Sequence, residues 1–193
     1  MYSRTTLIVL AVVLAFTPQT AAAQSLRIER LADRPIIAPH MDDRMGSNIA
    51  GPSLIRVPDW IANPLGRYYL YFADHRGTYI RLAYADELTG PWTTHPPGTL
   101  QLEQSHFPTT CPPCAPEGSY IHVASPDVHV DNTRRQIIMY VHGRDVGQQV
   151  TRAAVSTDGL HFKGRPEILG RPYFRTFRRD GFIYALAMPG VMY

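Results

Sequence analysis

The polar residues of this 193-residue chain that could do chemistry fall into a few short runs. Asp74-His75-Arg76 and His142-Gly143-Arg144 each close an apolar, aromatic-rich stretch, so an imidazole and a guanidinium are brought together twice. Such a pair can bind hydroxyls or grip a carboxylate, the guanidinium in a bidentate manner, and it can equally close a turn by hydrogen bonding. His129 alternates with Val128 and Val130, which places it on one face of a strand, toward a channel or between packed sheets. Arg171 stands just before Pro172, where it could contact a ligand. Cys111 and Cys114 frame a Cys-Pro-Pro-Cys run. A thioredoxin-type redox site opens a helix, and Pro108, Pro112, Pro113 and Pro116 forbid one here. Zinc would need two further ligands, with only His106 close in sequence. A short disulfide, or a pair of free thiols, is the reading that remains, and no metal site is expected.

The elements that must hold these groups are short strands. Ser53 to Val57, Tyr68 to Ala73 and Tyr79 to Ala85 are rich in β-branched and aromatic residues; Asp86 to Pro91 is a turn, and Trp92 opens another strand. The order then repeats: Val128 to Val130, Ile137 to Val141, Val150 to Ser156, a turn at Thr157-Asp158-Gly159, and Phe162. A third copy begins at Tyr173 to Phe177, turns at Arg179-Asp180-Gly181 and continues through Phe182 to Ala187. Each copy opens on a proline, at Pro52, Pro126 and Pro172, which aligns Arg171 with Gly51 and Ser125. Strands recurring in this order point to an all-β β-propeller, with a β-sandwich as the alternative. The predicted organisation is blade one over about 48–100, an insertion loop over about 101–121, blade two over about 122–168 and a partial blade over 169–193. That makes about two and a half blades, where closure takes roughly four to eight, so a longer propeller is expected.

Residues 1–23 read as a signal peptide. Arg4 gives a positive start, Leu7 to Phe16 an apolar run, and Ala21-Ala22-Ala23 a cleavage site. Ten apolar residues fall short of the roughly 20 that span a bilayer as helix. Removing residues 1–23 leaves 170 residues with 18 basic and 16 acidic side chains. The expected location is periplasmic or secreted, with no membrane partner after cleavage. The small, scattered positive charge forms no basic face, which argues against a nucleic-acid partner.

The chain resembles the five-bladed propeller glycosidases of glycoside hydrolase family 43 and its relatives, nearest to uncharacterised exported members. The resemblance runs from about Pro35 onward. It rests on Asn48-Ile49-Ala50-Gly51-Pro52-Ser53-Leu54-Ile55, Tyr69-Leu70-Tyr71-Phe72-Ala73-Asp74-His75 and Arg81-Leu82-Ala83-Tyr84-Ala85-Asp86 in the first copy. To these it adds Gly90-Pro91-Trp92, Ala124-Ser125-Pro126-Asp127-Val128 and Ser156-Thr157-Asp158-Gly159-Leu160-His161-Phe162.

The resemblance implies hydrolysis of O-glycosyl bonds of a polysaccharide or oligosaccharide, in a pocket on the propeller axis. In inverting enzymes of this kind the acid and base carboxyl groups stand about 6.5–9.5 Å apart. Asp127 matches the family's second-blade Pro-Asp motif and is the expected catalytic carboxylate. Asn48, Asp74, His75, Arg76, His129, His142, Arg144 and Arg171 are the expected sugar contacts. No cofactor is implied beyond a structural cation that some relatives carry in the central channel. The chain departs from the family at Gly51-Pro52, where an Asp-Pro base is usual. Asp42 and Asp43 could enter the pocket from upstream, and Glu117 could stand in weakly for an acid from a later blade. A propeller that binds carbohydrate without cleaving it is therefore the alternative function.

Overall fold

The computed structural model describes residues 27–31, 33–111 and 117–193. The predicted signal segment lies outside them. Residues 27–30 belong to a separate amino-terminal unit and are exposed, without regular structure.

From residue 31 onward the described chain forms strands and two short 3-10 turns, and no α-helix. The first sheet is an antiparallel meander of β1 (Ile49–Arg56), β2 (Tyr68–Asp74), β3 (Tyr79–Ala85) and β4 (Thr93–Gln101). The second repeats it with β5 (Val123–Asp131), β6 (Gln136–Asp145), β7 (Gln148–Ser156) and the two-residue β8 (Lys163–Gly164). A third, three-stranded sheet contains β9 (Arg175–Arg179), β10 (Phe182–Ala187) and β11 (Val191–Met192). These are two blades and part of a third, with β1, β5 and β9 as inner strands.

The second strand of blade one is buried on both faces, which is why it reads as a near-continuous apolar run. Its period-2 alternation sends Tyr69, Tyr71 and Ala73 into a core shared with Val128, Ile137, Met139, Ala154 and Phe162 of blade two. Leu70 and Phe72 point the other way, into a second cluster with Ala83, Ala85 and Trp92, capped by Met45 from the upstream segment. The turn at Thr157-Asp158-Gly159 joins the blades directly: the buried Tyr71 hydroxyl donates to the Gly159 carbonyl at 2.9 Å. The Tyr71 ring meets Phe162 edge-on at 5.8 Å. Tyr71→Phe leaves that carbonyl without its partner and is expected to cost about 1–2 kcal/mol, read as a lower urea midpoint at unchanged m-value.

The repeat is plainest in a bulge. Along β1 the register steps from Ala50↔Ala73 to Ser53↔Tyr71, and along β5 from Ala124↔His142 to Asp127↔Tyr140. Each inner strand thus carries one extra residue, and the bulged residue has positive φ: +63° at Gly51 and +51° at Ser125. In the third sheet Met188 donates to the Pro172 carbonyl while Arg175 pairs with Leu186, the same step, with Tyr173 at φ +67°. Gly51, Ser125 and Tyr173 are therefore equivalent, as are Ser53, Asp127 and Arg175. The proline alignment puts Arg171 in that set; the backbone puts Tyr173 there, two residues on. Bulge geometry, not the proline, is what the three copies share, and Phe174 replaces proline in the third.

Candidate functional site

Antiparallel pairing brings the beginning of each inner strand beside the end of its neighbour, as Ile49 opposite Asp74 and Val123 opposite Gly143 show. Residues before the inner strands and after the second strands therefore gather on one rim. Asn48, Asp74, His75, Arg76, His142 and Arg144 are all brought to it. The two blades are tied together along this rim by the Val123 amide donating to the Gly77 carbonyl at 3.1 Å.

Asp74 has a structural task here. One carboxylate oxygen accepts from the Asn48 amide at 3.2 Å and the other from the Arg76 amide at 2.8 Å. The His75 amide donates to the Asn48 carbonyl at 3.0 Å, so the loop is closed on both sides.

Aromatic rings pave the rest of the rim. His75 stacks on His122 with centroids 6.1 Å apart, and His122 meets His142 edge-on at 5.2 Å. Tyr120 lies 5.0 Å from His122 and carries the Arg76 guanidinium over its face at 5.0 Å. Tyr173 covers His142 at 4.1 Å. His122, Tyr120 and Tyr173 are absent from the sequence-based set. His122 carried a usable signal, since it precedes Ser125 by three residues as Asn48 precedes Gly51. Tyr173 became visible only through the bulge register.

His122 and His142 are each 1% exposed. The Nε2 of His122, both ring nitrogens of His142 and the Nε of Arg144 are buried with no hydrogen-bond partner among the described residues. Burial, reinforced by the charges of His122, His75 and Arg175, pushes His142 down to about 3. Burial also lowers His122, although a bond to the Tyr120 carbonyl opposes it, and His75 and Arg144 push it further down. Both imidazoles are therefore neutral at pH 7. Among the described residues no group of three or more His, Cys, Asp or Glu is disposed to hold a metal ion.

Asp127 sits further along β5 on the inner strand. Its Oδ2 accepts from the Thr176 amide at 2.8 Å and the Thr176 hydroxyl at 2.9 Å, and lies 2.8 Å from His129 Nε2. The Thr176 hydroxyl and His129 Nε2 are themselves 2.7 Å apart, which closes a triangle. Burial raises the Asp127 pKa, but the bonds from His129 and Thr176 outweigh it and the net shift is downward. Asp127 is thus ionised at neutral pH. Its counterpart in blade one, Ser53, accepts from the Val128 amide at 2.9 Å, the same link from one inner strand to the next. Asp127 therefore keeps the inter-blade bond of Ser53 and adds a negative charge.

The remaining expected residues lie elsewhere. The Arg171 backbone is held by the Thr151 hydroxyl, donating to its carbonyl at 2.7 Å, and by its own amide donating to the Tyr193 hydroxyl at 3.3 Å; its side chain is exposed. Asp42 pairs with Arg44 against β3 and β4, the side of blade one away from the inner strand, and not in a central pocket. Glu117 is exposed on the insertion loop. Cys111 is exposed, its thiol directed at the Ser119 carbonyl at 3.4 Å. Cys114 lies outside the described residues, and with it the predicted pairing.

No family model matches the chain. It is 36% identical over 150 residues to the uncharacterized protein R118 of Acanthamoeba polyphaga mimivirus, which covers 71% of this chain and 41% of that protein. Among solved structures it is similar to an α-L-arabinofuranosidase of Clostridium thermocellum, with TM-score 0.51 and 22% identity over 74% of this chain and 43% of that one. It is also similar to a thermostable family-43 glycoside hydrolase, with TM-score 0.50 and 21% identity over 72% of this chain and 40% of that one. The chain thus spans about two fifths of the length of each of these proteins. The fold is the all-β propeller of the family-43 glycoside hydrolase structures, with a histidine- and arginine-lined rim at the head of its inner strands.

Proposed function

We propose that the chain forms the glycan-handling funnel of an exported glycoside hydrolase-like protein that hydrolyses O-glycosyl bonds, with Asp127 as its ionised carboxylate. The observation that carries this reading is a charged, part-buried carboxylate on an inner strand, held from two sides by His129 and Thr176. An ionised carboxylate can activate water or steady the positive charge that develops at the anomeric carbon; protonating the leaving oxygen takes a second carboxyl group. His75, Arg76 and Arg144 supply donors for sugar hydroxyls, and His142, buried under Tyr173, joins them only when that ring turns aside.

The test is release of reducing sugar from arabinans, xylans and galactans. Asp127→Asn keeps the shape and an acceptor for the Thr176 amide while removing the charge. It is expected to lower kcat at least about a hundredfold, with the melting temperature checked alongside. Full activity in that variant would remove Asp127 from the chemistry.

One observation favours the second reading, carbohydrate binding without cleavage. Position 51 carries no carboxylate, and a Cβ built there would lie 2.6 Å from the Ser125 Cα. Calorimetric binding of an oligosaccharide that is recovered intact would decide for it.

A further inference from the structure

We infer that the ligand of the rim is an anionic glycan, with a uronate carboxylate held by Arg144, His122 and His142. This deepens the carbohydrate reading and rests on it. Cationic or titratable groups face the cluster from every element around it: His75 and Arg76 after β2, His122 ahead of β5, His142 and Arg144 in β6, and Arg175 in β9. The charges of Arg144 and Arg175 are felt at His122 and His142 respectively. The carboxylates at this end of the two blades are already engaged: Asp74 spends both oxygens on backbone amides, and Asp145 pairs with Arg152 at 2.6 Å. Arg76, Arg144 and Arg175 thus make the rim positive, with no carboxylate partner among the described residues.

The unpartnered atoms are of the type an acid would satisfy. Arg144 Nε is a donor, and His122 Nε2 and one His142 nitrogen become donors once they carry protons. Leaving such groups buried and unbonded costs about 1–3 kcal/mol each. A carboxylate offers two oxygens with about four acceptor positions, whereas one sugar hydroxyl offers a single oxygen. A carboxylate also draws protons onto the imidazoles, turning neutral contacts into charge-assisted ones. Tyr173 covers His142 at 4.1 Å, so its ring has to turn aside as the acid enters, while the Arg76 guanidinium lies over the Tyr120 ring beside His122.

The experiment is calorimetry on the full chain at pH 7 with four probes: trigalacturonate, its methyl ester, neutral xylotriose and a sulfated galactose trisaccharide. Trigalacturonate is expected to bind at least about tenfold more tightly than its ester. Arg144→Gln is expected to remove that preference, the acid losing at least about tenfold more affinity than the ester. In the unsubstituted chain, histidine ring signals in NMR are expected to shift downfield on titration with trigalacturonate, which reads out protonation without any variant. Equal affinity for acid and ester, or binding of xylotriose alone, overturns the anionic assignment and leaves the glycan reading standing. Equal binding of the sulfated sugar overturns the commitment to a carboxylate. Binding of none of the four overturns both readings.

Discussion

Gly51→Asp is expected to destabilise the protein by about 3–5 kcal/mol and not to create a catalytic base. The residue has φ +63°, and a Cβ there would stand 2.6 Å from the Ser125 Cα and 3.1 Å from the Ser125 side chain. Positive φ alone is a modest cost, and Asp tolerates it better than most residues. The close approach is the larger part, because the atom in the way is backbone of the next inner strand and cannot swing aside. Gly51→Ala carries the same clash without the charge and should lose nearly as much. For a chain of this size such a loss lowers the melting temperature by roughly 10 °C or more. A Gly51→Asp protein that melts with the wild type and gains glycosidase activity would refute this account. The glycine ahead of Pro52 is thus what lets the inner strands of blades one and two meet.

Acidification is expected to weaken the fold well above the pH at which carboxylates are protonated. His142 is held neutral in the folded state, with its pKa pushed down to about 3, whereas the unfolded chain takes up that proton near 6.5. Its stabilising contribution is complete above pH 6.5 and is lost progressively as pH falls toward 3. At pH 5 the loss from this residue alone is about 2 kcal/mol. His122, also lowered by burial, adds to it with the same sign. Asp127, lowered by its bonds to His129 and Thr176, loses its contribution only at lower pH, as it is protonated below the ordinary aspartate range. Urea unfolding at pH 7, 6 and 5 should show the midpoint falling throughout, with His142→Leu flattening that dependence. A midpoint constant from pH 7 to pH 5 would contradict the buried, neutral state of His142. A bound acid should oppose the loss, since it stabilises the protonated ring.

Much of the strand plan was legible because its signals are local. Aromatic and β-branched runs at Tyr68 to Ala73 and Tyr79 to Ala85 become β2 and β3 within one residue, and Arg179-Asp180-Gly181 supplies the turn between β9 and β10. Local signals mislead where the tertiary structure overrides them. Only Val128 to Val130 read as the second inner strand, because Ser125-Pro126-Asp127 has turn composition. The observed strand runs from Val123 to Asp131, the bulge absorbing the proline inside it. Pro96 and Pro97 likewise hide the length of β4, an outer strand that can spare the amides.

The sequence by itself determined an all-β chain, the order and approximate limits of its strands, and the return of His and Arg at the ends of the second strands. Each of these follows from composition and period over fewer than about ten residues. The tertiary structure decided which side chains meet between blades. It set His122 between His75 and His142, laid Tyr173 over His142 in the place the prolines assign to Arg171, and joined Asp127 to Thr176 across 49 residues. Those meetings depend on one extra bulge residue in each inner strand and on the packing of one sheet against the next. A one-residue change of register reverses the face that every side chain presents, and nothing local to the sequence fixes it.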